Sequence, residues 1–180
     1  MHPWHDYPVD EQRLADQFPV VIEVPLGSTN KYELDKPSGM LRLDRVLHSA
    51  VYYPANYGFV PRTYCRDGDP LDVLVFGRDP IHPLTVVDVR AIGVMKMRDD
   101  KGPDDKLLAV NVSDPAFADY RHFRELPKHV VREMTRFFQD YKVLEGKEVI
   151  VEEPLGPDEA LAVLRDALAD YRKLPAPSRL

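Results

Sequence analysis

The sequence predicts an α+β fold that is mainly β, with short strands closing into a small barrel and two helices flanking it at the C-terminal end. Three observations carry this expectation. Short apolar or alternating segments separated by glycine, proline and asparagine turns occupy the chain up to about residue 115. Apolar residues at helical spacing occur only beyond it. Strands followed by helices are the order of an α+β domain, and many short strands bury their edges most simply by closing.

Val20 to Val24, Lys31 to Asp35 and Leu41 to Leu47 are β-type segments. The turns Gly27-Ser28-Thr29-Asn30 and Lys36-Pro37-Ser38-Gly39 separate them, the pattern of a meander. Asp72 to Phe76 is an apolar run after a turn. Val86 to Met97 sets Val87, Val89, Ala91, Gly93, Met95 and Met97 on one face, a long strand in which Gly93 marks a bend or bulge. Lys106 to Val112 and Glu148 to Glu152 supply two more strands. The first helix starts near Pro127, and Val130, Val131, Met134, Phe137, Phe138 and Tyr141 form one apolar stripe along it. Pro127 suits the first helical turn, and Gly146 follows the end. The last helix opens with Pro157, Asp158 and Glu159 and presents Ala160, Val163, Leu164, Ala167, Leu168 and Tyr171 on one face.

The 180 residues, 44% hydrophobic and 30% charged, lie in the ordinary globular range. One domain is expected over residues 1–180, with its core at about 18–174 and loose tails at 1–15 and 175–180. A chain of this length buries roughly two-thirds of its unfolded surface and needs no staples. The single cysteine, Cys65, has no intramolecular partner, fits a reducing compartment and reads as a small hydrophobe. The N-terminus, Met1-His2-Pro3-Trp4-His5-Asp6, has neither a basic nor an apolar region of the secretory kind, and the apolar runs are too short to span a bilayer. A soluble, cytoplasmic protein is the expectation. A net charge of −6 argues against duplex nucleic acid as partner and permits metal cations.

The densest chemical signal is Asp67-Gly68-Asp69-Pro70-Leu71-Asp72. At a separation of about 4 Å and an effective dielectric near 20, each unneutralised carboxylate pair costs roughly 4 kcal/mol. A hard divalent cation is the simplest remedy, and a solvated acidic turn is the plain alternative. An EF-hand loop from Asp67 fails, because Asp72 stands where glycine is needed and Arg78 where glutamate is needed. A second acidic turn, Asp99, Asp100, Asp104 and Asp105, lies between two strands, and two such turns meeting in a barrel would furnish ligands for several Mg²⁺ ions. Arg45 shares a strand face with Leu41, Leu43 and Leu47, an unusual place for a guanidinium unless an anion meets it. Lys31 and Glu33 share a face, and Glu23 interrupts the apolar run Val20 to Val24, where a lone carboxylate is expensive. Tyr52-Tyr53-Pro54-Ala55-Asn56-Tyr57-Gly58 gathers phenols in a turn-rich stretch, and phenol hydroxyls bind phosphate oxygens as readily as they pack. The histidines show no ligand spacing beyond His2 and His5, and no P-loop, nucleophile elbow or Rossmann pattern is present.

Taken together, Val20 to Tyr171 resembles the family I soluble inorganic pyrophosphatases. Asp67-Gly68-Asp69-Pro70-Leu71-Asp72-Val73 fits the family signature, and Val21-Ile22-Glu23-Val24-Pro25, Lys31-Tyr32-Glu33, Asp44-Arg45, Tyr53 to Gly58, Gly93 to Met97 and Tyr141-Lys142 come in family order. The resemblance implies an OB-type barrel and the Mg²⁺-dependent hydrolysis of pyrophosphate to two phosphates by direct attack of a metal-bridged water or hydroxide. It implies that Asp67, Asp72, Asp99 and Asp104 hold several Mg²⁺ ions, with Glu23 and Glu33 acting through metal-bound water, and that Asp69 is the general base or hydrogen-bond partner of the attacking water. Lys31, Arg45, Tyr57, Lys106, Tyr141 and Lys142 become the phosphate clamp, supported by Tyr53. Asp100 departs from the glutamate usual at its position. Short members of this type are usually homohexamers, with neither nucleic acid nor membrane as partner. Two other readings compete: a nucleic-acid-binding barrel, which the tyrosines suit and the acidic turns do not, and a two-metal phosphoesterase acting on a larger substrate.

Overall fold

The computed structural model describes residues 1–99 and 102–175, so Asp100 and residues 176–180 lie outside the described residues. In chain order the strands are β1 (Phe18–Val24), β2 (Asn30–Leu34), β3 (Leu41–Val46), β4 (Asn56–Phe59), β5 (Asp72–Phe76), β6 (Val86–Met95), β7 (Met97–Asp99), β8 (Gly102–Pro103), β9 (Lys106–Asn111) and β10 (Ile150–Val151). The helices are α1 (Lys128–Asp140) and α2 (Pro157–Arg172). Strands β1, β4, β5, β9 and β6 close, in that order, into the expected barrel. Its pairs are antiparallel except β5 with β9, which run parallel.

The barrel strands read as nearly continuous apolar runs because both of their faces are covered. Val73, Val75, Leu107 and Ala109 pack in a cluster with Ala160, Leu164 and Leu168 of α2. The alternate residues Leu74, Phe76, Leu108 and Val110 join Met134, Phe137 and Phe138 of α1. A period of two thus sends neighbouring side chains to different helices. Pro127 occupies the N-cap of α1, one position before the turn expected for it, and Pro157 is the first residue of α2.

Gly93 lies at the expected bulge, where the register skips from Ala91 opposite Ala109 to Gly93 opposite Leu108. A Cβ there would stand 2.7 Å from the Leu155 carbonyl oxygen and 3.0 Å from the Phe123 ring. The long strand ends at Met95, short of the expected Met97, because the chain then changes partners. Met97–Asp99 pairs with Ile150 and Val151 in a second sheet, which also shortens the segment expected at Glu148 to Glu152.

Strand β4 lies partly within Tyr52 to Gly58, whose composition predicts a turn-rich stretch and no strand. Asn56 to Phe59 are all buried in it, and Gly58 acts as a point of close approach: a Cβ at this residue would fall 2.0 Å from the Val21 carbonyl oxygen. The N-terminal segment also departs from the loose tail expected for it. Trp4 and Leu14 are buried, the Trp4 Nε1 donates to the Thr63 carbonyl at 2.8 Å, and Glu11–Arg13 forms one turn of 3-10 helix. A single indole buries a large apolar body without creating any periodic signal, so only the packed chain reveals it.

Candidate active site

One end of the barrel gathers the acidic loop, the β2–β3 hairpin, the β7–β9 connection and the C-terminal end of α1. The loop turns at Gly68, whose φ of +88° places it in the left-handed region that favours glycine. Its ends are tied by Cys65 N–H to the Asp69 carbonyl at 2.8 Å and Gly68 N–H to the Cys65 carbonyl at 3.0 Å. The Asp67 carboxylate accepts from the Asp69 N–H at 3.1 Å. Burial, then the charges of Asp69 and Asp72, raises the proton affinity of Asp67 against that hydrogen bond. The Cys65 thiol is pushed up to about 12, first by burial, as befits an inert hydrophobe.

Asp72 opens β5 and lies beside Lys106, the first residue of β9, in the parallel ladder. The Lys106 ammonium, almost wholly buried, bridges the carboxylates of Asp72 and Asp104. Burial alone would lower its pKa, yet Asp72 and Asp104 hold it well above the ordinary value. The Asp72 charge acts on the Tyr57 phenol, and Lys106 Nζ stands 5.8 Å from the Tyr57 ring centre. Burial, with Tyr141 for Tyr53 and Asp72 for Tyr57, keeps both phenols far above their ordinary pKa and therefore neutral.

The hairpin supplies Lys31 and Arg45 as register partners. Lys31 Nζ pairs with Glu33 and, at 3.3 Å, with Asp44. Arg45 Nε lies 3.1 Å from Glu145, which belongs to the one-turn 3-10 helix Val143–Glu145. Glu23 sits in a β1 irregularity between Ile22 and Val24 and accepts from the Leu34 N–H at 2.7 Å. Burial first, then the charge of Asp72, pushes its pKa up to about 8. From α1, Tyr141 stacks on Phe137 with ring centres 5.4 Å apart. Lys142 follows with its ammonium 2.7 Å from Asp99 and 5.1 Å from the Tyr141 ring centre.

One cavity is lined by Lys31, Glu33, Tyr53, Tyr57, Asp67, Asp69, Asp72, Asp99, Asp104, Lys106, Tyr141 and Lys142, together with Pro103 and Phe138. Of the residues expected from the sequence, Glu23 and Arg45 do not line it: Glu23 is bound under the β2 backbone, and Arg45 turns toward Glu145. Six carboxylates in that lining face three ammonium groups. Among the described residues no three Asp, Glu, His or Cys side chains converge into a ready-made metal cluster. The donor set is nevertheless all oxygen and strongly anionic, the chemistry that suits a hard divalent cation. Lys36, which pairs with Asp69, and Asp44 and Glu145, which hold Lys31 and Arg45, were missed. Lys36 lies in a turn, Asp44 on the two-stranded hairpin and Glu145 in a one-turn 3-10 helix, places where a charge is unremarkable until its partner is known.

Comparison with known proteins agrees with this geometry. A family model described as inorganic pyrophosphatase matches residues 20–172. Soluble inorganic pyrophosphatase 2 of Chlamydomonas reinhardtii is 48% identical over 181 residues, covering 99% of this chain and 93% of that relative. Soluble inorganic pyrophosphatase 1 of Arabidopsis thaliana is 47% identical over 174 residues, covering 94% and 81%. Among solved structures, the inorganic pyrophosphatase of Thermus thermophilus superposes with a TM-score of 0.87 at 40% identity, covering 92% of this chain and 97% of that one.

Proposed function

Because the chain belongs to the inorganic pyrophosphatase family, we propose that it hydrolyses pyrophosphate to two phosphates in the cavity described, by direct attack of water and with Mg²⁺ as cofactor. The excess of carboxylates over ammonium groups in the lining carries this reading. A polyanion enters a net-negative cavity only in the company of cations. Asp67, Asp72, Asp99 and Asp104 would hold them, with Glu23 and Glu33 reached through water. Bound Mg²⁺ supplies charge neutralisation of the substrate and a water made acidic enough to attack near neutral pH.

The chain's own groups do the rest. Lys31, Lys106 and Lys142 bind phosphate oxygens, joined by Arg45 once Glu145 shares it with substrate. Tyr57, kept neutral by burial, and Tyr141 donate hydrogen bonds through their hydroxyls, and Tyr53 backs Tyr57, their ring centres 5.4 Å apart. Asp69 accepts the proton from the attacking water at its carboxylate oxygen. Arg45 and Lys142 stabilise the departing phosphate, and no covalent intermediate on the protein is needed.

The same reading takes residues 1–180 as one domain working in the cytoplasm as a homohexamer, with neither nucleic acid nor membrane as partner. No helix among the described residues is long and apolar enough to cross a membrane. Phosphate release from pyrophosphate, nucleotides and DNA, measured with and without Mg²⁺, tests the activity. Release from pyrophosphate only, and only with Mg²⁺, is expected; preference for a nucleotide or DNA would replace it with a phosphoesterase. Sedimentation velocity tests the hexamer.

A further inference from the structure

Resting on Asp69 as the proton-accepting carboxylate, we propose that Lys36 is its positioning residue and that the segment His2–Asp6 is a strap holding both Lys36 and the acidic loop in place. Lys36 Nζ pairs with the Asp69 carboxylate and donates to the Gly68 carbonyl at 3.2 Å, so one ammonium group grips side chain and backbone of the loop tip. Among the described residues Lys36 is the ion-pair partner of Asp69.

Lys36 stands in the turn that joins β2 to β3, closed by Gly39 N–H to the Asp35 carbonyl at 2.8 Å. The N-terminal segment covers that turn. His2 Nε2 makes a 2.8 Å hydrogen bond with the Lys36 carbonyl, and its ring lies so near that a Cβ on Gly39 would stand 2.9 Å from it. Two residues on, Trp4 is buried and ties to Thr63 through its Nε1. The buried Thr63 hydroxyl accepts from the Leu71 N–H at 2.8 Å, closing the base of the same loop. Arg62 N–H returns to the Trp4 carbonyl at 2.8 Å. One short segment therefore reaches the loop at both ends, through Lys36 at its tip and Thr63 at its base.

The magnitudes separate positioning from stability. An ion pair as exposed as Lys36–Asp69, at 44% and 41%, contributes little to folding. Displacing a proton-accepting group by about 1 Å, however, costs up to about 100-fold in rate. Lys36→Met is expected to lower kcat about 10-fold at saturating pyrophosphate and Mg²⁺, with KM and the melting temperature nearly unchanged. Lys36→Arg should retain most of the activity. The decisive reading is a double-mutant cycle: in an Asp69→Asn background, Lys36→Met should change kcat less than about twofold. His2→Ala, with the lysine intact, should lower kcat by a smaller factor, again only when Asp69 is present. Parental kcat in Lys36→Met, or an equal loss in both backgrounds, overturns the assignment of Lys36. Parental kcat in His2→Ala overturns the strap. Parental kcat in Asp69→Asn alone would instead overturn the role of Asp69, a failure distinct from either.

Discussion

Asp72 and Lys106 are register partners in the barrel's parallel strand pair, and the buried Lys106 ammonium bridges Asp72 to Asp104. Two strands far apart in sequence thus deliver a cation and its carboxylates to one point. Removing the cation leaves two partly buried carboxylates facing each other, and breaking such a pair costs roughly 3 kcal/mol. Lys106→Met should lose about that much stability in urea unfolding without divalent metal. Millimolar Mg²⁺ should restore more stability to the variant than it adds to the parent, and an equal response in both would count against a cation site there.

Asp69 in the loop and Asp72 at the start of β5 are near in sequence yet should answer differently to metal. Asp69→Asn keeps size but removes the proton acceptor, so kcat should fall by about 10²- to 10⁴-fold with little change in Mg²⁺ requirement. Asp72→Asn should weaken both Mg²⁺ binding and turnover, and higher Mg²⁺ should partly rescue it. A Mg²⁺ titration of kcat at constant ionic strength checks this, and rescue of Asp69→Asn alone would reverse the two roles.

Gly58 tests the barrel closure. A methyl group there would meet the backbone carbonyl oxygen of Val21 at 2.0 Å, so it cannot be accommodated without opening the β1–β4 ladder. Gly58→Ala should destabilise by about 3 kcal/mol or more, read from the unfolding midpoint. A parental midpoint would show that the two strands tolerate separation.

Asp114 gives a pH dependence away from the cavity. Its carboxylate accepts from Arg78 N–H at 2.8 Å, Arg78 Nε at 3.0 Å and Ala116 N–H at 3.0 Å. The backbone N–H groups of Arg78 and Ala116 chiefly hold its pKa below the ordinary carboxylate range. Its contribution to stability is therefore present above the unfolded-state pKa, near pH 4, and is lost as pH falls through the lower folded-state value. Asp114→Asn should be less stable at neutral pH and show a shallower decline in acid; parallel curves for parent and variant would refute this.

The sequence alone determined the features that local rules govern. The helical stripe Met134, Phe137, Phe138 and the Gly93 bulge were legible because a helix face and a strand irregularity are written in a few consecutive residues. Asp67 to Asp72 was legible as a chemical signal because three carboxylates in six residues repel one another, although the sequence left a solvated acidic turn open beside a cation site. Tertiary structure decided what depends on partners distant in the chain. It made a strand of Asn56–Phe59, since Gly58 is a breaker in isolation and a close contact only against Val21. It docked Trp4 on Thr63, turned Arg45 toward Glu145 and brought Lys36 to Asp69. An ion pair or a lone buried indole has no period, so its meaning exists only once the fold has brought its partner within reach.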